Sequence, residues 1–150
     1  MQALQSLRKL LDSLPARLDA MPDHAVSAKL KGKWSVKEEL GHLLDSAANN
    51  HQRIVRAQLE DNPALPQYDG DQWVALHAYQ TRDWHELASL WKALNWQLLA
   101  AAEAVPDKAW SRTCTLGGSE PLTLQFVFED YLKHMRHHLR HMKVQVDELD

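Results

Sequence analysis

Apolar residues recur at helical spacing along most of the chain, and this periodicity restricts the fold more than any other feature. In the first segment, from Gln2 to about Ala20, leucines stand at positions 4, 7, 11, 14 and 18. Because residues three and four apart share one face of an α-helix, the spacing predicts an amphipathic helix with one buried face. Pro15 is expected to kink or split this helix near Ser13, since its nitrogen has no hydrogen to donate.

Capping and stop signals delimit the helices that follow. Ser35 and Glu38 have the spacing of a capping box, in which each side chain accepts a hydrogen bond from the other residue's backbone amide. Pro63 and Pro106 follow two of the predicted helix ends. The later helices are predicted to begin and end near Ser35 and Asp61, Asp71 and Tyr79, Arg82 and Ala104, and Thr123 and Asp147.

Four long helices joined by loops of moderate length predict an all-α fold, an antiparallel up-down four-helix bundle. Residues 105–122 are expected to be an irregular segment within it. The adjacent Gly117 and Gly118 indicate a turn there, and the sequence leaves both a small hairpin and an extended loop open. Because no linker and no internal repeat interrupts the pattern, residues 1–150 are expected to form a single domain.

Charge and cysteine content restrict the partners. The net charge is −3, and basic residues are mixed with acidic ones rather than clustered, so no nucleic-acid partner is expected. Charges interrupt the apolar stretch at the N-terminus, and no apolar run approaches spanning length, so no membrane partner is expected. Cys114 is the one cysteine, which fits a reducing, cytoplasmic location. A homodimer stays open, because an apolar helix face outside the bundle could pair two chains.

The last predicted helix concentrates histidines, at positions 134, 137, 138 and 141 of a chain with nine. His134 and His138 are four residues apart, so they lie on the same helix face, the one expected to be buried. Such a pair can present two nitrogens to one cation, as in the HExxH zinc motif, or it can belong to a polar face without a ligand. Tyr131 and His141 lie near that face and could contact the ligand histidines without binding the metal themselves.

A polar line on the second long helix offers a third ligand. Glu38, His42, Asp45 and Asn49 are spaced at four, three and four residues, so they form one continuous stripe. The stripe lies away from the apolar face of the helix. Periodicity alone therefore leaves open whether it faces solvent or a cavity between helices.

Four stretches carry a resemblance to a known family, and they span essentially the whole chain. Residues 34–45, WSVKEELGHLLD, resemble the WSxxExxxHLxD signature of the DinB-like, YfiT-related superfamily, and residues 130–139, DYLKHMRHHL, resemble its closing HxxHH helix. Residues 68–73, YDGDQW, and 116–123, LGGSEPLT, are also similar to stretches of that family. The order and spacing of the four stretches are more specific than any one of them.

The resemblance implies a four-helix bundle that holds one divalent metal ion, usually zinc or nickel, on three histidines. Carried over motif by motif, these ligands are His42, His134 and His138. Two positions depart from the family pattern. Ala47 stands where a glutamate often follows the HLxD aspartate, and His141 stands where a glutamine is usual and offers a fourth nitrogen.

The resemblance also implies a small-molecule reaction, either metal-dependent hydrolysis or S-transfer with a low-molecular-weight thiol. Glu38 is the candidate general base, although its role in the capping box competes with this. Asp45 could orient a ligand imidazole, and Tyr131 could point into the pocket. The alternative function is a helical bundle that binds a metal or a small ligand without catalysis, with His141 closing the coordination sphere. The tryptophans at 34, 84 and 91 are expected to serve packing.

Overall fold

The computed structural model describes residues 1–144, and α-helices account for most of them. The helices are α1 (Gln2–Asp19), α2 (Asp23–Ser27), α3 (Val36–Leu59), α4 (Gly70–His77), α5 (Trp84–Glu103) and α6 (Leu124–His141). The strands are β1 (Ala64–Leu65), β2 (Thr113–Leu116) and β3 (Leu122–Thr123), and short 3₁₀ turns cover Tyr79–Thr81 and Asp107–Ala109. The long helices α1, α3, α5 and α6 form the bundle, in which α5 and α6 each pack against both α1 and α3. The predicted all-α four-helix bundle is confirmed.

Side-chain pairs at the helix ends give the directions of α1 and α5. His85, at the start of α5, places Nδ1 2.7 Å from the Asp19 carboxylate at the end of α1. Arg8, near the start of α1, donates to Glu103 at the end of α5 over 2.6 Å. The two helices therefore run antiparallel.

Helices α3 and α5 run in the same direction, whereas the predicted up-down order alternates direction from one long helix to the next. The N-cap of α3, Ser35, donates to Gln80, which lies just before α5. At the other end, Arg112 follows α5 and donates to the carbonyl oxygens of Ala57 and Glu60 at the end of α3. A long crossover, residues 60–83, joins the two helices and carries α4 along α3.

Pro15 was predicted to kink or split α1 near Ser13, and helix α1 continues through Pro15 without a break, so the split is not observed. Proline removes one hydrogen bond, but tertiary packing holds the helix on both sides of it. Leu11, Leu14 and Leu18 are almost fully buried there. The Ser13 hydroxyl donates to the carbonyl of Lys9 within the same stretch.

The segment between α5 and α6 contains strands, and of the two alternatives the hairpin is the one observed. Strand β2 pairs antiparallel with β3 and parallel with β1, which makes a three-stranded sheet of order β1-β2-β3. Thr123, at the end of β3, caps α6 through its hydroxyl, as predicted. The sheet thus fixes where the histidine-bearing helix begins.

Helix α6 ends at His141, earlier than predicted. The amides of Lys143 and Val144 donate back to the carbonyls of Arg140 and Leu139, and Lys143 has a φ of 59°. This is a Schellman arrangement, which terminates a helix by turning one residue left-handed. The predicted continuation is therefore wrong at residues 142–144, and the predicted end at Asp147 lies outside the described residues.

The core lies between the four long helices and is rich in large side chains. Trp84 and Trp91 are almost fully buried, which confirms their predicted packing role. The Trp84 indole also donates to the carbonyl of Leu18 over 2.8 Å, which ties α5 to α1. Among residues 1–144, no helix combines the length and the hydropathy that crossing a bilayer requires.

Candidate metal centre

The antiparallel packing of α3 against α6 brings three predicted histidines together. His42 lies in the second turn of α3, and His134 and His138 lie one turn apart in the second half of α6. One nitrogen from each ring lies within 4.8 Å of the others. The Nε2 atoms of His42 and His134 are 3.1 Å apart. Two nitrogens of tetrahedral zinc are about 3.3 Å apart, since Zn–N bonds are about 2.0–2.1 Å.

The outward nitrogens of the two α6 histidines have protein partners. Nδ1 of His138 lies 2.6 Å from the Glu39 carboxylate, and Nδ1 of His134 lies 3.3 Å from the Ser46 hydroxyl. A carboxylate at Nδ1 holds the imidazole as the tautomer whose Nε2 carries a free lone pair. Both side chains come from α3, one turn on either side of His42. The three Nε2 atoms are therefore the ones left to bind a ligand.

Packing, rather than a hydrogen bond, holds the Nδ1 side of the His42 ring. Its Nδ1 is buried and has no partner among residues 1–144. The Trp34 ring lies with its centroid 4.9 Å from the His42 centroid. On another side the backbone of Gly70 approaches so closely that an added Cβ would lie 2.8 Å from His42 Cε1. Asp69 caps α4 and so fixes this approach.

Burial keeps two of these imidazoles neutral near pH 7. Burial first, and then the neighbouring imidazoles, lower the pKa of His42 to about 3. Burial and His138 lower the pKa of His134 to about 4, although Asp130 acts in the opposite direction. A neutral imidazole is the form that donates a lone pair to a cation. A donor set of three imidazoles, two of which have protein partners at their outer nitrogens, fits a divalent ion of the zinc or nickel type.

His141 stands apart from the three histidines. Its side chain is half exposed, and its Nδ1 lies 3.5 Å from the other oxygen of Glu39. Its ring packs against exposed His137, with centroids 4.2 Å apart. His141 lies outside the group of His42, His134 and His138. It forms a second group with Glu39 and His138, whose candidate ligand atoms also lie within 4.8 Å of one another.

Glu38 lies one turn before His42, but both of its carboxylate oxygens are occupied. One accepts from the Ser35 amide over 2.8 Å, which completes the predicted capping box, and the other accepts from Lys29 over 2.5 Å. Burial acts to raise the pKa of Glu38, but the hydrogen bonds from Lys29 and Ser35 outweigh it and lower the pKa. The geometry accordingly favours the capping role over proton transfer.

Asp45 does not contact the ligand imidazoles in the described residues, in contrast to its expected role. Its Oδ1 accepts from the Tyr79 hydroxyl over 2.7 Å and lies 3.1 Å from Nδ1 of His77. Burial raises the pKa of Asp45, and the Tyr79 and His77 contacts act against that rise. This carboxylate therefore fastens the crossover to α3.

Tyr131 points into the core rather than towards the three Nε2 atoms. Its hydroxyl donates to the side-chain oxygen of Asn95 on α5, and both residues are almost fully buried. The Asn95 amide in turn donates to the carbonyl of Trp91 over 2.8 Å. Burial raises the pKa of the Tyr131 phenol, so it stays protonated at neutral pH.

A small cavity of about 130 Å³ opens beside His134, between α3 and α6. Ser46 and Arg53 line it from α3, Asp130 and Tyr131 line it from α6, and Tyr68 lines it from the crossover. Tyr131 thus borders this cavity, as predicted, although its hydroxyl is bonded to Asn95. Burial raises the pKa of Tyr68, against hydrogen bonding with Ser46, so its hydroxyl remains a donor. The cavity reaches the histidines on the side of His134.

The family model of the DinB superfamily matches residues 2–142. The chain belongs to the DinB superfamily. The resemblance carried by the sequence motifs is thereby confirmed.

Relatives within the superfamily carry names that refer to metal-dependent hydrolysis. "Putative metal-dependent hydrolase YfiT" of Bacillus subtilis is 26% identical over 140 residues, which cover 89% of this chain and 79% of that protein. "Putative metal-dependent hydrolase OB0782" of Oceanobacillus iheyensis is 29% identical over 111 residues, covering 74% of this chain and 64% of that protein. These relatives support a metal ion and leave its identity open.

Two solved structures share the fold of this DinB-superfamily chain. Bacillus subtilis YfiT superposes with a TM-score of 0.74 at 23% identity, covering 96% of this chain and 87% of that chain. A mycothiol-dependent maleylpyruvate isomerase superposes with a TM-score of 0.73 at 15% identity, covering 99% of this chain and 64% of that chain. At these identities the likeness establishes the bundle fold and no further property.

The sequence pattern missed the side chains that surround the histidines in this DinB-superfamily chain. The predicted polar line ran through Glu38 and Asp45, whereas the contacts are made by Glu39 and Ser46, one position further along. Both are spaced at helical intervals from His42, three residues before and four after, so a search centred on that histidine would have found them. Trp34 was expected to serve packing alone, yet its ring lies against His42.

Proposed function

We propose that this chain is a metal-dependent enzyme acting on a small molecule, by hydrolysis or by S-transfer with a low-molecular-weight thiol. His42, His134 and His138 hold one divalent ion, with zinc and nickel as the two candidates. The observation that carries the proposal is the convergence of three Nε2 atoms. Two of them belong to rings whose Nδ1 atoms contact Glu39 and Ser46.

His42, His134 and His138 would hold the ion through three imidazoles, and the ion would supply Lewis acidity for activating water or a thiol. Glu39 fixes the tautomer of His138, and Ser46 orients His134. Trp34 and the backbone of Gly70 cover His42 and limit access of water from that side.

The half-exposed position of His141, near Glu39, supports three protein ligands rather than four. A closed, four-histidine site is what the non-catalytic alternative requires. We therefore assign His141 to a supporting contact with Glu39. We assign Glu38 to the capping box, since both of its carboxylate oxygens have partners there. We assign Asp45 to the crossover, since its Oδ1 accepts from Tyr79.

The relatives' names support both reaction types. The curated relatives are named as metal-dependent hydrolases, and one structural neighbour is a mycothiol-dependent isomerase. A cytoplasmic location, a homodimer and a single-domain organisation stay predictions from the sequence. The same holds for the expected absence of a nucleic-acid partner, which the mixed surface charge supports.

Metal content of the purified, untagged protein tests the proposal. We expect close to one equivalent of zinc or nickel in the wild type and a loss of it in a His134→Ala/His138→Ala double variant. His85→Ala, a histidine on α5 that belongs to neither candidate metal group, is the matched control and should retain the metal. Wild-type protein that binds neither ion after both are added back would overturn the proposal. Hydrolysis and thiol-transfer assays on the loaded protein then separate the two reactions.

A further inference from the structure

The cavity beside His134 contains a guanidinium that forms no ion pair with any of residues 1–144. Arg53 is half-buried in its wall, and its Nη1 donates to the side-chain oxygen of Asn50 over 3.3 Å. Arginine has five N–H donors, so most of them have no protein acceptor within residues 1–144. Asp130 lines the same cavity and attracts Arg53 electrostatically, but it is solvent-exposed and forms no ion pair with it.

Arg53 differs from its neighbour on the same helix. Arg56, three residues further along α3, is exposed and bonds to Gln52 and Glu60, an ordinary surface arrangement. Withdrawing an arginine from water is costly unless its charge is paired. A half-buried guanidinium with free donors in a cavity is therefore an anion-binding arrangement, whereas Arg56 is a solvated side chain.

We propose that this cavity binds a carboxylate group of the small molecule on which the histidine centre acts. The inference rests on the proposed function, because it identifies the cavity as part of that substrate site. Arg53 donates to the carboxylate, and the Tyr68 hydroxyl and the Asn50 side chain line the same space. The neutral His134 ring at the other side places the rest of the substrate next to the three Nε2 atoms.

The size of the cavity suits this ligand. A volume of about 130 Å³ holds about four groups of the size of a water molecule, which occupies about 30 Å³. That is enough for a carboxylate and one or two methylene groups. The planar fork of arginine also matches a carboxylate geometrically, since both oxygens can accept in parallel.

Binding of succinate to the metal-free protein at pH 7.5 tests the carboxylate site without depending on the metal. Titrations follow succinate, its neutral diamide succinamide and inorganic phosphate, by calorimetry and by the Arg Nε–H signals in NMR. We expect saturable binding of succinate, no competition from succinamide, and a loss of about tenfold or more in Arg53→Gln, the magnitude of one charge-assisted contact. Arg53→Lys should be intermediate, because it keeps the charge and loses the fork.

Arg56→Gln is the matched control and should bind succinate like the wild type. Equal affinity in Arg53→Gln and Arg56→Gln, or equal binding of succinate and succinamide, would overturn the proposal. Tighter binding of phosphate than of succinate would overturn the carboxylate assignment in favour of a phosphate. If Arg53→Gln does not fold, the comparison of succinate with succinamide on wild-type protein still decides. Metal content is measured separately, so failure here leaves the histidine centre standing, and loss of the metal leaves this result standing.

Discussion

Two buried polar clusters lie on α6, and they differ in how their hydrogen-bonding groups are used. Tyr131 and Asn95 satisfy one another and the backbone, and nothing in that pair is left to bind a ligand. One turn further along, the Nδ1 atoms of His134 and His138 contact Ser46 and Glu39 of α3, and their Nε2 atoms are directed at His42. The polar groups of the first cluster bond to one another and to the backbone, whereas the second cluster keeps buried lone pairs without a protein donor among the described residues.

The difference indicates what each cluster contributes to stability. Buried polar groups with partners are close to neutral or modestly favourable, whereas buried lone pairs that face one another gain nothing until a cation joins them. The histidine cluster is thus expected to depend on metal and on pH, and the Tyr131 pair is expected to depend on neither.

The largest expected effect is that of zinc on thermal stability. At a free zinc concentration one hundred times the Kd, binding contributes about 2.7 kcal/mol, which raises the Tm of a domain of this size by roughly 5–10 °C. The His134→Ala/His138→Ala variant should show no such rise in a thermal scan. Tyr131→Phe leaves Asn95 without its donor and should cost about 1–3 kcal/mol, yet its zinc-dependent rise should equal that of the wild type. A smaller rise in Tyr131→Phe would show that the two clusters are coupled.

The second effect is a pH dependence of the metal-free protein. The pKa values of His42 and His134 are lowered on folding to about 3 and about 4. Below about pH 6.5 the unfolded chain therefore binds more protons than the folded one, and stability falls as the pH falls from there towards 4. Each imidazole contributes a slope of up to about 1.4 kcal/mol per pH unit.

Urea denaturation at pH 7.5, 6.5 and 5.5 measures this slope before most carboxylates titrate. The double variant, which lacks His134, should give a shallower slope over that window, and Tyr131→Phe should keep the wild-type slope. A wild-type slope as shallow as that of the double variant would mean that these imidazoles do not resist protonation.

A third, smaller effect, on metal affinity, distinguishes the roles of the adjacent carboxylates of Glu38 and Glu39. Glu39→Gln weakens the hydrogen bond that fixes the His138 tautomer, and loss of such a partner lowers metal affinity about 10–100-fold. Glu38→Gln is the matched control: it disturbs the capping box and the Lys29 contact, so it should lower stability and leave metal affinity unchanged. Competition against a chromophoric chelator measures both affinities. Lower metal affinity in Glu38→Gln, with unchanged affinity in Glu39→Gln, would instead make Glu38 part of the metal site.

Local rules predicted some features of the molecule, and long-range packing decided the others. The capping box at Ser35, the Thr123 cap and the four long helices follow from spacing within a few residues of sequence. The shared direction of α3 and α5 depends on the crossover, which no periodicity reveals. For the same reason sequence brought His42 into the site only through a family resemblance, since periodicity left its helix face undecided.

The supporting residues show the same limit at finer scale. Sequence placed Asp45 beside the histidines because it lies one turn after His42, but Tyr79 from the crossover takes its carboxylate. The role of Arg53 depends on Tyr68 and Asp130, which come from other parts of the chain. A helix pattern gives the face on which a side chain lies, and only the packed structure gives the partner on the other side.

The smallest expected effect concerns His141 and sharpens the boundary of the histidine cluster. His141 is half exposed and touches Glu39 rather than the three Nε2 atoms, so His141→Gln should leave zinc affinity and stoichiometry unchanged. X-ray absorption of the zinc-loaded protein should show the same number of imidazoles, three, before and after the substitution. Loss of one imidazole and of affinity in His141→Gln would instead make it a fourth ligand. The centre would then be closed, and the non-catalytic alternative would replace the enzyme, because substrate would have no coordination position left.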